Sequence, residues 1–235
     1  KVRTRTAVKS ARRSEDRWDL ALDDGTSVSA KALVNAAGPW VADMVARSGV
    51  NSKASVRLIK GSHIIVPALF QGHHAYMLQQ PDGRIVFAIS YDYNSTLVGT
   101  TDEPVDTPEE AQITDAEKVY LCAAVNRYFK RQTDPTDVIG TFSGVRPLYD
   151  DGASEAKAVT RDYVLELDDN GPPLLSVFGG KITTARHLAE EAIGRLGKAA
   201  RWKTSPATRT EVLPGGNLQQ GFAGFLENVR TRWLF

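Results

Sequence analysis

The residues with the most chemistry to offer lie outside the predicted helices. Lys60-Gly61-Ser62-His63, Ser143-Gly144-Val145-Arg146-Pro147 and Thr160-Arg161-Asp162-Tyr163 each set a cation beside strand or turn residues, and Lys181 follows Gly179-Gly180. Guanidinium groups grip phosphate through paired hydrogen bonds. Arg146, Arg161 and Lys181 brought together would therefore suit a small phosphomonoester dianion. An arginine standing alone more often meets a surface carboxylate or water. His63 is the histidine best placed for proton transfer, because it follows Gly61-Ser62 at a predicted strand start. His73 and His74 fall in a predicted loop and His187 in a helix. The plain alternative for His63 is a structural role.

Two strand-to-helix turns offer a second kind of chemistry. Val34-Asn35-Ala36-Ala37-Gly38-Pro39-Trp40 ends a strand in small residues, which lets a ligand come close to the backbone. Phe178-Gly179-Gly180-Lys181-Ile182-Thr183-Thr184 removes two side chains just where the next helix begins. Free N–H groups and the positive end of that helix favour an anion or a partly negative carbonyl. The spacing of a nucleotide-triphosphate phosphate loop is not met, since the upstream glycine is missing. A plain tight turn is the alternative reading of each.

The elements that must position these residues follow from periodicity. Val2 to Val8, Arg17 to Leu22 and Ser27 to Ala30 read as three strands, the last two joined by a turn at Asp24-Gly25. Lys31 to Gly38 reads as a strand buried on both faces, then a helix from Pro39 and Trp40 to Ser48 with Gly49 as its stop. Between residues 56 and 105 come short strands at Val56–Ile59, His63–Val66, Ala75–Leu78, Ile85–Ile89 and Thr96–Gly99, the spacing of an antiparallel sheet. Thr114 and Glu117 form a capping-box pattern for a helix from Asp115 to Lys130, with Val119, Cys122, Val125 and Phe129 inward. Strands return at Val138–Val145, Tyr163–Leu167 and Leu174–Phe178. A helix from Thr184 to Leu196 follows, turning Leu188, Ala192, Ile193 and Leu196 inward and ending at Gly197.

Bulk properties exclude several classes. The 235 residues are 42% hydrophobic and 24% charged with a net charge of +1, so charge alone calls for no nucleic-acid partner. A single cysteine, Cys122, allows neither an intrachain disulfide nor a multi-cysteine zinc site, and the histidines suggest no metal cluster. No apolar run approaches the roughly 20 residues that span a bilayer, and Lys1 to Thr6 lack the core of a signal peptide.

Taken in order, the motifs resemble those of the FAD-dependent glycerol-3-phosphate dehydrogenases, the respiratory quinone-linked flavoenzymes. The resemblance rests on Leu33–Val41, Arg57–Pro67, Gly99-Thr100-Thr101-Asp102, Phe142–Leu148, Thr160–Tyr163, Leu174–Thr184 and Val212–Gly216. It implies an α+β fold: a partial α/β FAD-binding domain at 1–55 and 166–198, an inserted antiparallel-sheet substrate domain at 56–165, and a linker with the start of a helical domain at 199–235. It implies oxidation of sn-glycerol 3-phosphate to dihydroxyacetone phosphate, with hydride passing to FAD and electrons to quinone. Arg146, Arg161 and Lys181 match positions associated with substrate or its phosphate, and Ser62 and His63 lie on the substrate side. His63 and Lys181 are the candidate catalytic groups. Ala36, Ala37, Gly38, Gly180, Lys181, Ile182 and Thr183 fall near the flavin, whose pyrimidine edge gains negative charge on reduction. The family's Gly-x-Gly-x-x-Gly fingerprint is absent from this chain, as is the acidic residue for the adenosine ribose. With Lys at the start and Trp233-Leu234-Phe235 at the end, a fragment of a longer enzyme is expected, one that by itself binds FAD poorly. The resemblance further implies a cytoplasmic homodimer, peripheral on the inner membrane surface. Two alternatives stay open: an oxidase of the same fold that uses oxygen on glycerol phosphate or an amino acid, and a non-catalytic α/β binding module.

Overall fold

The computed structural model describes residues 1–92, 94–150 and 162–233. Helix and sheet are mixed, with three sheets among these residues. The first is a meander of β1 (Val8–Arg13), β2 (Trp18–Leu22) and β3 (Ser27–Ala30). The first strand begins at Val8 rather than ending there. Trp18–Leu22 pairs with Val8–Arg13, and Val2 is 87% exposed, so the alternation at the start has no strand to face. Trp18 anchors this sheet to the rest: it is fully buried and its Nε1 donates to Pro172 O at 3.0 Å.

The second sheet contains β4 (Leu33–Asn35), β11 (Tyr163–Asp168) and β12 (Leu174–Gly179), in the order β11-β12-β4. β12 is buried along almost its whole length, as its apolar run predicts, and β4 lies parallel to it. β4 is shorter than the predicted strand and is not buried on both faces. It sits at the sheet edge, and Val34 is 44% exposed. After it come a 3₁₀ turn at Gly38–Trp40 and α1 (Val41–Ser48), closed by Gly49 at φ +67°, the left-handed stop that its sequence predicts. α3 (Ala185–Ala199) packs Leu188, Ala192 and Leu196 against Leu165, Leu175 and Val177. Ile193 is 51% exposed, and the helix passes through Gly197 instead of stopping there.

The third sheet, with six strands, carries Ser62, His63 and Arg146. Its path is β10-β5-β8-β7-β6, formed by β5 (Val56–Pro67), β6 (Ala75–Gln79), β7 (Ile85–Tyr91), β8 (Ser95–Gly99) and β10 (Gly140–Tyr149), with β9 (Glu103–Pro104) paired to β5. The two strands predicted at 56–59 and 63–66 are one. β10 pairs with β5 over ten consecutive residues, and Gly61 falls opposite Gly144, so the glycine is accommodated inside the ladder. His63 is therefore a mid-strand residue. α2 (Asp115–Asn126) covers one face of this sheet. It buries Leu121, Cys122, Ala124 and Val125 against Ile64, Val66, Val86, Ala88 and Val98. Each fully buried aliphatic side chain stabilises the fold by about 1.5–3 kcal/mol relative to exposure. The inward stripe is rotated from the predicted one, since Val119 is 55% exposed. The helix also ends earlier, at Asn126. α4 (Gly221–Trp233) has no buried residue. No helix among the described residues is long and apolar enough to cross a membrane.

Candidate functional site

β4 and β12 run parallel with Ser176 opposite Asn35, so their carboxyl ends leave the sheet side by side. This is where open α/β sheets bind ligands. Asn35 is 2% exposed and shapes the first turn, its Nδ2 donating to Val41 O at 2.9 Å and its Oδ1 accepting from Ala37 N at 3.3 Å. Ala36 lies exposed beside it, with Ala37 and Gly38 half-buried. In the second turn Gly179 and Gly180 have φ of +76° and +101°. A Cβ on Gly179 would also stand 2.8 Å from Asp162 O, so both space and backbone require glycine. Lys181, Ile182 and Thr183 are exposed, and Ile182 is 90% exposed, a large apolar group left bare on a glycine turn that leads into a helix.

The strand that carries Arg146 runs beside this turn. A side chain at Gly179 would touch Tyr149 N and Pro147 O at 3.5 and 3.6 Å. The Gly38–Trp40 turn also meets β10. Arg146 Nη2 donates to Thr101 O at 2.9 Å and to Asp102 Oδ1 at 2.6 Å, and about a third of its side chain stays exposed. Gly61 makes room for it, because a Cβ there would fall 2.6 Å from Nη2.

His63 occupies the same, uncovered face of the sheet. Phe142, His63, Gly99, Phe87 and Met77 stand in one cross-strand row. The imidazole stacks on Phe142, with centroids 4.7 Å apart and planes 9° apart. It lies over Gly99, where a Cβ would approach its Nε2 to 2.6 Å. Its Nδ1 is buried and finds no hydrogen-bond partner among the described residues. Burial, and then the nearby Arg146 charge, hold its pKa below the usual 6.5, so the ring is neutral at pH 7 and able to accept a proton. Gly99→Ala should drive the ring off Phe142. We expect the ring protons of His63 to lose the ring-current shift that stacking on Phe142 imposes; unchanged NMR shifts in the variant would contradict this packing.

The covered face holds a different assembly. Lys60 and Glu117 form an ion pair at 3.0 Å with both side chains almost wholly buried. Ser62 Oγ and Thr101 Oγ1 each donate to Glu117 Oε1 at 2.7 Å, and Thr114 N donates to Oε2 at 2.8 Å. Lys60 Nζ also donates to Gln112 O. Ser62 is fully buried, and its hydroxyl is also 2.8 Å from that of Ser143, so it is engaged within the protein. Burial alone would raise the Glu117 pKa, but the hydrogen bonds from Thr114, Thr101, Ser62 and Lys60 outweigh it and hold the value at about 2. The unfolded value is near 4.5, so the stabilisation is complete above that pH and lost as pH falls toward 2. On the order of 3 kcal/mol should disappear between about pH 5 and pH 2. Urea titrations across that range in wild type and Glu117→Gln test this. The variant should show a distinctly flatter acid limb, and parallel limbs would exclude the assignment.

Of the residues singled out in the sequence, Arg146 and His63 share the open face, and the Ala36–Gly38 and Gly179–Thr183 turns adjoin the end of Arg146's strand. Lys181 lies on the second turn. Arg161 lies outside the described residues. Sequence reasoning assigned no role to Asp102, Thr101, Phe142 or Asn35, and it took Glu117 for a helix cap only. One signal for Glu117 was available. Lys60 alternates with Ser62, Ile64 and Val66 on the buried face of β5, and a buried lysine demands an acidic partner. Among the described residues no group of three or more His, Cys, Asp or Glu could hold a metal ion.

A family model described as DAO, FAD dependent oxidoreductase, matches residues 1–186. A glycerol-3-phosphate dehydrogenase of Pseudomonas aeruginosa is 48% identical, over 100% of this chain and 47% of its own length. A D-erythritol 1-phosphate dehydrogenase of Brucella abortus is 44% identical, over 92% of this chain and 45% of its own. The solved glycerol-3-phosphate dehydrogenase of Bacillus halodurans, complexed with FAD, superposes with a TM-score of 0.81 at 27% identity, covering 97% of this chain and 45% of that one. The chain thus spans about half the length of the curated relatives it matches.

Proposed function

Because the chain belongs to the family of FAD-dependent oxidoreductases, we propose that it forms the flavin-ring and substrate side of an enzyme that oxidises a polyol monophosphate. The leading substrate is sn-glycerol 3-phosphate and its product dihydroxyacetone phosphate, as the names of the P. aeruginosa and B. halodurans relatives suggest. The relative that acts on erythritol 1-phosphate supports the class, a polyol carrying one phosphate, more firmly than it supports a chain length. In this reading residues 1–55 and 166–198 are parts of the flavin-binding domain, 56–165 the substrate domain inserted between them, and 199–235 the way into a further helical domain.

The observation that carries the proposal is Gly179. It ends the parallel strand, opens the glycine turn and touches the end of the strand that bears Arg146. The residues present fit a flavin. A turn without side chains, a bare Ile182 and a helix N-terminus following it would suit a flat aromatic ring with a partly negative edge. Ala36, Ala37, Gly38, Gly180, Lys181, Ile182 and Thr183 would hold it. Bound FAD supplies a hydride acceptor. Arg146 binds the phosphate dianion, with Arg161 and Lys181 as further cations in the proposal. Neutral His63 takes the proton of the hydroxyl at the carbon that is oxidised, so that one hydride and one proton leave and a carbonyl forms. Burial, together with the cation beside it, keeps the His63 ring neutral before that transfer.

The onward acceptor in this reading is a quinone, reached from the cytoplasmic side of a membrane surface. Trp202, 45% exposed between Arg201 and Lys203, is the support this chain offers for the surface. The test is anaerobic addition of glycerol 3-phosphate to the purified full-length protein. We expect the visible flavin absorbance to bleach, and unphosphorylated glycerol to bleach it only slowly and at far higher concentration. A colourless protein that takes up no FAD, or a coloured one that no polyol phosphate bleaches, would contradict the proposal.

A further inference from the structure

Arg146 stands on the open face of the six-stranded sheet, yet what fixes it comes through from the covered face. Its Nη2 is held by two groups of one segment, Thr101 O at 2.9 Å and Asp102 Oδ1 at 2.6 Å. Thr101 is 1% exposed, and its hydroxyl accepts from Ser62 N at 2.9 Å and donates to Glu117 Oε1 at 2.7 Å. Glu117 is in turn fixed from three directions. Thr114 caps it from the first turn of α2, with N at 2.8 Å and Oγ1 at 3.0 Å; Lys60 pairs with it from β5; and Ser62 Oγ donates to it. Glu117 is 4% exposed and lies on the helix side, so it meets no ligand on the open face.

We infer that Glu117 is a positioning residue for Arg146: acting through Thr101, it locks the carbonyl and carboxylate that aim the guanidinium at the substrate's phosphate. The inference rests on the phosphate role proposed above for Arg146. Physically, a single-stranded connection such as Thr100–Asp102 would otherwise swing, and an arginine tethered to it would lose its fixed geometry. A carboxylate saturated by five donors is a stiff anchor, because every one of its bonds must lengthen for it to move. The chain of contacts is Glu117, Thr101, Arg146, with one hydrogen bond at each link.

The test is a double-variant cycle in the full-length flavoprotein, read as KM and kcat for glycerol 3-phosphate and as kcat/KM for unphosphorylated glycerol. Glu117→Gln should raise KM for the phosphate substrate roughly tenfold with kcat within about twofold, and leave flavin content and glycerol turnover unchanged. In an Arg146→Ala background the same change should have no further effect on KM. Thr101→Val, which removes only the relaying hydroxyl, should reproduce the loss, and Thr101→Ser should restore it. These two decide the matter if Glu117→Gln does not fold. Independent multiplication of the losses in the double variant, an equal loss for both substrates, or wild-type KM in Glu117→Gln or Thr101→Val would each overturn the inference while leaving the proposed function standing. If Arg146→Ala itself fails to separate the phosphorylated from the unphosphorylated substrate, the proposed phosphate site fails and the positioning role goes with it.

Discussion

Arg146→Ala in the full-length protein should raise KM for glycerol 3-phosphate by two to three orders of magnitude while altering turnover of unphosphorylated glycerol only slightly. The guanidinium has a half-open setting. It is already oriented by Thr101 O and Asp102 Oδ1, and about a third of its surface remains free for a ligand. Truncating one partner of a hydrogen-bonded charge pair costs about 2–5 kcal/mol, which spans roughly thirtyfold to several thousandfold in affinity. Asp102 sharpens the expectation, because the variant leaves a carboxylate near the dianion with no cation between them. Steady-state kinetics with both substrates measures it. A uniform loss on glycerol and its phosphate would mean that Arg146 shapes the sheet rather than the phosphate site.

Glu117→Leu should destabilise the protein by about 3–5 kcal/mol, and Lys60→Met by clearly less. The two residues are an ion pair, so a purely pairwise view would make the two losses equal. The geometry does not. Removing the carboxylate leaves the buried Lys60 ammonium donating to Gln112 O and strips the acceptor from the Ser62 and Thr101 hydroxyls. Removing the ammonium leaves a carboxylate that still accepts from Ser62, Thr101 and Thr114. Urea unfolding of the full-length variants, followed by intrinsic fluorescence, ranks them. A Lys60→Met variant as unstable as Glu117→Leu would show that charge balance, not hydrogen bonding, governs this cluster.

Local signals survived into the structure where they answered to local physics. Gly49 closes α1 because a left-handed stop needs no partner outside the turn, and Thr114 with Glu117 starts α2 for the same reason. The Ser27–Ala30 strand, set by the turn at Asp24-Gly25, also stands where its sequence places it. Readings that depended on neighbours went astray. Val34 looked buried because its segment is apolar, but among the described residues its side chain is 44% exposed. The segment around Lys60-Gly61-Ser62 looked like a break because glycine weakens strands, yet the facing Gly144 in β10 made it part of the ladder. For the site, the sequence offered candidates one by one and could not group them. Arg146 meets Asp102 across 44 positions of sequence and Ser62 meets Glu117 across 55, distances at which no periodicity operates. The resemblance to a family supplied the ordered set of motifs; only the fold could put Gly179 against the end of β10.

The most direct test is the structure of the full-length protein with FAD and glycerol 3-phosphate bound. We expect the phosphate within about 3 Å of the Arg146 guanidinium, the flavin ring against the Gly179–Thr183 turn, and the reacting hydroxyl beside His63 on the open face of the sheet. A phosphate bound on the α2 side, or a flavin seated away from the glycine turn, would contradict it.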